Sequence, residues 1–289
     1  MLYIEINPYT RLGNWMFEYA AAASTREFVC FYGTYEGWRR DIAPYADTIF
    51  RGAKLQDKKP KDLEVYHAPT FRYHKLPSFA GKNVDFRGYF QSEKFFNAEL
   101  IRSLYGVPKS NRQYLLQKYG EWLNHSDVVG ISVRRGDYLA KPEYHPFVGK
   151  RFLRKAVSLF PPSSKFVVCS DDIEWCKRFF TGNQYLFVSG ETAMNQIYVH
   201  ALCHHNIISN SSFSWWGAWL NEHKDKRVIA PSLWFGFGSK EDTADLLWDK
   251  VEILRNRYSI VQFLAGWKNI IIRSLKLALF PIYKRFCGR

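Results

Sequence analysis

Short apolar runs alternate with longer amphipathic segments through the carboxyl-terminal half of the chain. The runs are rich in Val, Ile and Phe, which is typical of buried strands: 128–133, 166–169, 185–188, 207–209 and 228–230. The segments between them have the length and spacing of helices: 150–160, 172–180, 194–204 and 213–222. Because strands and helices alternate, this half is predicted to form a parallel, doubly wound α/β sheet.

The amino-terminal half shows a similar beginning. An apolar run at 2–6 precedes a glycine-containing turn at 11–14, and apolar residues then recur at helical spacing from Met16 to Ala23. This pattern predicts a strand, a turn and a helix, a common opening of nucleotide-binding folds. Residues 51–62 are charged and poor in apolar side chains, so a loop is predicted there.

The division of the chain follows from these patterns. We predict an amino-terminal Rossmann-like domain at 1–125, a nucleotide-binding domain at 126–254 and a basic tail at 255–289. A chain of 289 residues is long enough for two domains of ordinary size.

Polar side chains follow three of the predicted strands, in segments 134–137, 170–172 and 210–214. Open α/β sheets bind ligands beyond the carboxyl ends of their strands, so we expect these segments to converge on one site. Arg134 and Arg135 follow a buried strand, and the planar donors of arginine suit the oxygens of a diphosphate. The alternative is an ion pair between these arginines and Asp137.

The third polar segment lies where a helix is predicted to begin. Backbone amides at such a point can bind a phosphate, which makes Ser211 and Ser212 candidate donor contacts. Helix capping is the alternative for these serines, and equally for Asp171 and Asp172.

Several common nucleotide motifs are absent from the sequence. It has no Asp-x-Asp, no P-loop motif and no G-x-G-x-x-G fingerprint. A magnesium site on carboxylates, a P-loop ATPase and a simple NAD enzyme are therefore not supported. We expect neither a metal nor a cofactor, so that arginines, hydroxyls and helix ends would stabilise a diphosphate leaving group.

Five motifs, taken in order, resemble glycosyltransferase family 11, the α-1,2-fucosyltransferases that use GDP-fucose. They are RLGNWMFEYA from Arg11, GYFQSEKF from Gly88, VRRGDY from Val133, SDDIEWCK from Ser170 and NSSFSWWGAWL from Asn210. The resemblance runs from about residue 4 to residue 235. It implies a GT-B architecture, an inverting and metal-independent reaction, and transfer of fucose to the 2-hydroxyl of a galactose-containing glycan.

The resemblance also assigns residues to the donor. Arg134 and Arg135 would face the diphosphate, with the serines of the fifth motif nearby and the turn of the first motif on the opposite side. The full donor-binding set predicted here is Arg11, Gly13, Asn14, Ser132, Arg134, Arg135, Asp171, Asp172, Gln196, Ser211, Ser212 and Ser214.

Two departures from the family pattern concern the nucleotide base. Ser132 stands where the family usually has His, and Gln196 stands where it usually has Asp. In related fucosyltransferases these positions read guanine, and Gln lacks the carboxylate that accepts from both guanine N–H groups. Two alternatives therefore stay open: another nucleotide-sugar as donor, or a catalytically impaired relative that only binds a glycan or nucleotide.

The general base is less clear from the sequence. Glu143, just past the arginine motif, is the predicted catalytic carboxylate, and Glu18 is a second candidate. Each has the alternative of an ordinary surface or capping acid. His204 and His205 are predicted to lie on the helix before Ile207 with a structural role.

The formal net charge is +14, and much of it lies in the tail. Residues 255–289 contain eight Arg or Lys and no acid, interleaved with Ile, Leu and Phe. This composition predicts a cationic amphipathic helix that ends at Pro281 and binds an anionic membrane surface. A tail packed on the domain and a contact with a protein partner are the alternatives. A nucleic-acid partner is not favoured, because the excess charge lies in an apolar-rich segment.

Cysteine usage and the chain start bear on location. Five cysteines without a CxxC pair argue against a disulfide framework and a zinc site, and favour a reducing compartment. The first residues lack the pattern of a signal peptide, and no apolar run reaches the ~18 residues of a membrane span. We predict a cytoplasmic protein, peripheral on the inner face of a membrane.

Overall fold

Two parallel sheets form the frame of the molecule. The computed structural model describes the backbone of residues 1–287 and the side chains of residues 1–276. The first sheet has the order β3-β2-β1-β5-β4, with strands β1 (Leu2–Ile6), β2 (Val29–Gly33), β3 (Lys54–Gln56), β4 (Glu64–His67) and β5 (Val84–Arg87). The second has the order β11-β10-β9-β6-β7-β8, with strands β6 (Val128–Val133), β7 (Lys165–Ser170), β8 (Tyr185–Phe187), β9 (His205–Ile207), β10 (Val228–Pro231) and β11 (Val251–Leu254).

Helices connect these strands and cover both sheets. They are α1 (Leu12–Ser24), α2 (Trp38–Ala46), α3 (Ala98–Tyr105), α4 (Lys109–Leu123), α5 (Lys150–Val157), α6 (Ile173–Phe179), α7 (Ala193–Leu202), α8 (Ser212–Leu220) and α9 (Ile260–Cys287). All strand pairs in the described residues are parallel. The predicted α/β fold with two Rossmann-like halves is confirmed.

Several local predictions were wrong. The segment 51–62 is not only a loop, because it contains β3 at the edge of the first sheet. His205 begins β9, and His204 lies in the turn before it, since α7 already ends at Leu202. The tail forms a helix, as predicted, but α9 continues past Pro281. Residues 288 and 289 of the predicted tail lie outside the described residues.

The two halves share one hydrophobic core, although the sheets lie on either side of residue 125. Helix α1 packs against α8, and the ring of Phe17 lies 4.6 Å from the rings of both Trp215 and Trp216. Helix α4 precedes the second sheet in sequence yet packs on α7 and β7. The relative position of the two sheets is therefore held by close packing as well as by the chain connection.

One glycine permits the closest approach between the halves. A Cβ at Gly13 would lie 2.6 Å from Ser212 Oγ and 2.7 Å from the backbone nitrogen of Phe213. The Gly13 carbonyl also accepts a hydrogen bond of 3.0 Å from Trp216 Nε1. A larger residue at position 13 would push the start of α1 away from the start of α8.

The first part of the predicted tail packs against the second half of the molecule. Gln262 Nε2 donates to the Phe147 carbonyl at 2.8 Å, and Asn269 Nδ2 donates to the Ala140 carbonyl at 2.9 Å. These bonds hold the first turns of α9 against the loop 140–147, as the alternative of a packed tail required. Among the residues that the structure describes, no helix combines the length and the apolar character needed to cross a membrane.

Candidate active site

A cleft of about 1420 Å³ lies between the carboxyl edges of the two sheets. Loops that follow β1, β6, β7 and β9 line it, together with the first residues of α1 and α8. Parallel strands place their carboxyl ends at one edge, so motifs far apart in sequence meet here. Nine predicted donor-binding residues line the cleft: Arg11, Gly13, Asn14, Ser132, Arg134, Asp171, Gln196, Ser211 and Ser212.

Asn14 joins three segments at the wall of the cleft. Its Oδ1 accepts one hydrogen bond from Gln91 Nε2 at 3.0 Å and another from Ser212 Oγ at 2.9 Å. The first contact reaches the loop after β5, and the second crosses to α8. Gln91 belongs to the second sequence motif but was not among the predicted site residues. This amide network gives the cleft a preorganised polar wall.

Arg134 lies in the cleft between two carboxylates. Its Nη2 is 2.7 Å from Asp137 Oδ1, and its Nη1 is 3.1 Å from Asp171 Oδ2. The guanidinium also lies 5.5 Å from the ring of Tyr138, whose hydroxyl donates to the Asn210 carbonyl at 2.9 Å. The ion pair considered as an alternative is thus present. An incoming diphosphate would compete with these carboxylates for the same N–H donors.

Arg135 points to the other side of the sheet and does not line the cleft. Its Nε donates to Asp172 Oδ2 at 3.0 Å, and its guanidinium stacks 4.0 Å from the ring centre of Trp175. There it lines a second, separate cavity. Successive residues of an extended chain face opposite sides, so two adjacent arginines after β6 cannot both face one ligand. The expectation that both arginines face the donor does not fit this placement.

Two other residues that were predicted to contact the donor have structural roles instead. Asp172 caps α6, accepting a hydrogen bond of 3.3 Å from the backbone nitrogen of Trp175. Ser214 is buried, and its Oγ lies 2.8 Å from the carbonyl oxygens of Ser209 and Ser211. Helix capping and packing therefore account for both residues. Neither side chain lines the cleft.

The start of α8 leaves polar groups free at the cleft. Ser211 is the N-cap residue, yet its side chain makes no capping hydrogen bond. Its hydroxyl and the first amides of α8 border the same space as Arg134. The amino end of a helix carries partial positive charge, which favours an anion.

Neither predicted carboxylate base lines the cleft. Glu143 is buried beneath α9, where its Oε2 accepts a hydrogen bond of 3.0 Å from Asn269 Nδ2. Glu18 is buried in α1, and its Oε2 has no partner among the described residues. Burial, followed by the nearby charge of Glu5, raises the pKa of the Glu18 carboxyl well above its usual range. The placement of Glu143 gives it a structural contact in place of the expected catalytic one.

His145 is a cleft residue that the sequence reasoning missed. Its ring stacks on Tyr138 with 4.6 Å between ring centres, and it lines the cleft close to Arg134. Burial lowers the pKa of the His145 imidazole below its usual value. The imidazole is therefore neutral at pH 7 and able to accept a proton. His145 lies in an irregular loop, ten residues after Arg135. The sequence around it has no helical or strand periodicity that would place it at the site.

The two positions expected to read the base lie together at one side of the cleft. Ser132 is buried near the end of β6, and Gln196 lies on α7. The Gln196 amide has only a long hydrogen bond of 3.3 Å, to the Glu191 carbonyl. Both side chains can therefore turn toward a ligand without breaking a strong internal contact.

The residues that could hold a metal lie elsewhere. Within the described part of the chain, one cluster of potential ligands was found: His204, His223 and Asp225. His204 Nε2 is 2.9 Å from Asp225 Oδ1. These residues precede β9 and β10, at the opposite edge of the sheet from the cleft.

Comparison with known proteins identifies the family. The profile described as Glycosyl transferase family 11 matches residues 2–249, from β1 to beyond β10. The chain belongs to glycosyltransferase family 11. The family predicted from the five sequence motifs is therefore confirmed.

Several relatives that are similar to this chain in sequence have known activities. An α-1,2-colitosyltransferase of Escherichia coli is 30% identical over 166 residues, 53% of this chain and 57% of the relative. The E. coli O-antigen biosynthesis glycosyltransferase WbnK is 32% identical over 126 residues, 40% of this chain and 42% of the relative. Mouse galactoside 2-α-L-fucosyltransferase Sec1 is 27% identical over 237 residues, 73% of this chain and 62% of the relative. The matches thus span 42% to 62% of the lengths of these relatives.

Solved structures include distant matches. NodZ α-1,6-fucosyltransferase soaked with GDP-fucose aligns with a TM-score of 0.48 and 15% identity, over 80% of this chain and 95% of that one. E. coli heptosyltransferase WaaC with ADP aligns with a TM-score of 0.44 and 11% identity, over 96% and 98% of the two chains.

Proposed function

We propose that this protein transfers L-fucose from GDP-fucose to the 2-hydroxyl of a galactoside, forming an α-1,2 linkage. The observation that supports this most strongly is the position of Arg134. It lies at the carboxyl end of β6 in a cleft that also contains the uncapped start of α8. Family membership and the activities of the relatives support the reaction type. A cytoplasmic location stays a prediction.

The donor diphosphate is assigned to Arg134 and the start of α8. Phosphate oxygens would replace Asp137 and Asp171 as acceptors for the Arg134 guanidinium, which can bind two oxygens at once. The Ser211 hydroxyl and the amides of α8 would meet the same group from the other side. Negative charge that develops on the departing GDP is thereby stabilised without a metal.

The acceptor hydroxyl needs a group that removes its proton. His145 is the candidate for this role because it lines the cleft and because burial lowers the pKa of its imidazole, which is neutral at pH 7. In an inverting displacement, the acceptor oxygen bonds to the anomeric carbon as the bond to GDP breaks. The hydroxyl proton passes to His145, and GDP leaves with the electron pair.

A close variant of this function uses another donor sugar. The colitosyltransferase relative suggests colitose, which lacks the 3-hydroxyl of fucose.

The side of the cleft expected to read the base contains Ser132 and Gln196. We expect it to bind guanine less tightly than a side with a carboxylate would. Calorimetry should show tighter GDP binding by the Gln196→Asp variant. Tighter binding of UDP or CDP than of GDP by the unmodified protein would overturn the guanine assignment.

The direct test combines donor, acceptor and metal dependence. Purified protein is incubated with GDP-fucose or GDP-colitose and a soluble galactoside, and the product is examined by NMR for linkage and anomeric configuration. We expect a fucosylated product with an α-1,2 linkage, formed at nearly the same rate in excess EDTA. A product with another linkage, or a rate that EDTA abolishes and Mn²⁺ restores, would contradict the proposal.

A further inference from the structure

A second cavity of about 720 Å³ lies on the other side of the second sheet from the active-site cleft. It is bounded by the start of α5, by Trp175 of α6 and by the segment 255–262. Among the residues that the structure describes, no carboxylate lines it, whereas six cationic residues do, and we call it the basic cavity: Arg135, Lys150, Arg151, Lys155, Arg255 and Arg257. We propose that the basic cavity binds the phosphate headgroup of an anionic membrane lipid.

The cations of this cavity are available to a ligand. Within the part of the chain that the structure describes, none of the five exposed ones has an ion-pair partner: Lys150, Arg151, Lys155, Arg255 and Arg257. Arg135 forms the inner wall, and within the described residues Nε is the one atom of its guanidinium that donates to a protein acceptor. Its two Nη groups remain for an anion. The five unpaired cations repel one another, so a bound phosphate would relieve that repulsion.

Helix α5 contributes a second charge imbalance. Its first turn contains Lys150 and Arg151 but no acidic residue, and Gly149 at the N-cap offers no side-chain acceptor. Cations at the amino end of a helix oppose the helix dipole, which already places positive charge there. The first amides of α5 thus lie beside two unpaired cations at the edge of the cavity. An anion at this position would contact both.

An apolar strip on α9 adjoins the basic cavity. The residues Ile260, Leu264, Trp267, Ile271 and Leu275 recur at helical spacing with exposed fractions of 79%, 61%, 46%, 54% and 56%. The opposite face of α9, with Gln262 and Asn269, is hydrogen-bonded to the loop 140–147. The helix is therefore held with its apolar strip outward. Ser259, the residue before Ile260, lines the cavity, so the strip begins where the wall of the cavity ends.

The combination favours a lipid over other phosphates. A membrane surface presents phosphates directly above an apolar layer, which matches a cationic cavity beside an exposed apolar strip. A nucleic acid or a free phosphate would satisfy the cavity but leave the strip in water. The cleft and the basic cavity lie on opposite sides of β6, so a bound lipid would not block the donor. This inference does not depend on the identity of the donor sugar.

The test is co-sedimentation of the full chain with vesicles of phosphatidylcholine, with and without phosphatidylglycerol. We expect strong binding only with the anionic lipid, and weakening as salt rises, because charges are screened beyond about 8 Å at physiological ionic strength. The variant Lys150→Gln/Arg151→Gln/Arg257→Gln should bind roughly 100-fold more weakly, which corresponds to about 1 kcal/mol for each lost cation.

A matched control separates the cavity from net charge. The variant Lys58→Gln/Lys61→Gln/Lys75→Gln removes three exposed cations from the first half of the chain and should bind like the unmodified protein. Leu264→Ser/Ile271→Ser should also weaken vesicle binding. Circular dichroism verifies the fold of each variant, and transfer to a soluble acceptor should be unchanged in all of them. Absence of transfer by the unmodified protein, with its vesicle binding intact, would count against the proposed function alone.

Three results would overturn the lipid assignment. The first is equal loss of binding in the cavity variant and in the matched control. The second is binding of glycerol 3-phosphate in calorimetry by a protein that does not sediment with anionic vesicles, which would indicate a free phosphate as ligand. The third is displacement of the protein from vesicles by an oligonucleotide at equal phosphate concentration.

Discussion

At the residue scale, His200 links pH to stability. The His200 ring is buried and packs closely on Gly130, where an added Cβ would lie 2.6 Å from its Nδ1. This burial lowers the pKa of the imidazole to about 4. In the unfolded chain the imidazole has a pKa of about 6.5, so the folded state binds fewer protons below that pH. The lowered pKa of His200 therefore contributes about 3 kcal/mol to the free energy of unfolding above pH ~6.5. This contribution is lost as the pH falls from ~6.5 to about 4, because protons bind preferentially to the unfolded chain.

Urea unfolding between pH 7 and pH 4 measures this effect. The His200→Gln variant should lose the part of the pH dependence that His200 contributes, whatever its stability at pH 7. His67→Gln, which changes an exposed histidine, serves as the control and should keep it. An unchanged slope in the His200→Gln variant would mean that other groups cause the acid sensitivity.

The His145 assignment makes a separate prediction about the pH profile of transfer. Because burial lowers its pKa, the neutral base persists below the usual histidine range, and kcat should fall only at pH values below ~6.5. His145→Gln should lower kcat by about 10²–10⁴-fold and remove that acidic limb, with little change in GDP affinity. A variant that retains both the rate and the limb would exclude His145 as the base.

At the element scale, the contact of α1 with α8 positions the cleft. Gly13→Ala places a methyl group against the backbone of Phe213, which cannot move as a side-chain tip could. We expect a loss of about 1–3 kcal/mol in unfolding free energy and weaker GDP binding. Gly149→Ala is the control, since a Cβ there meets nothing within 4 Å. Equal stability of the two variants in thermal unfolding would contradict this role of Gly13.

Elements differ in how far the sequence predicts them. The strand β6 is buried at all six positions, so its apolar run is unambiguous. In contrast, β3 and β4 are short edge strands with exposed polar residues, and their sequences resemble loops. Their pairing depends on neighbouring strands that are distant in sequence, which a local pattern cannot register.

The same distinction applies to the site. Residues directly after strands, such as Arg134 and Ser211, were predicted because a parallel sheet brings strand ends together. Arg135 faces away from the cleft because side chains alternate along the extended chain after β6. The contact of Glu143 depends on Asn269, 126 positions later in the chain. Such long-range packing has no signature in a local motif.

At the scale of the whole molecule, the cleft is supported by a continuous core that includes both halves. Phe17 of α1 packs on Trp215 and Trp216 of α8, and Trp219 Nε1 donates to Glu93 Oε2 at 2.9 Å. The two halves should therefore unfold together. A donor bound between them would stabilise the entire chain by about 2.7 kcal/mol at 100 times its Kd.

The most direct test of the account is calorimetric GDP binding and fucosyl transfer by Arg134 variants. We expect Arg134→Ala to weaken GDP binding at least ~10-fold and to abolish transfer, since a charge-assisted hydrogen bond contributes about 1.5–3 kcal/mol. Arg134→Lys should restore little, because an ammonium cannot bind two phosphate oxygens as the guanidinium does. Arg178→Ala, an exposed arginine of α6, is the control and should match the unmodified protein. GDP binding and transfer that survive intact in a folded Arg134→Ala variant would contradict the account.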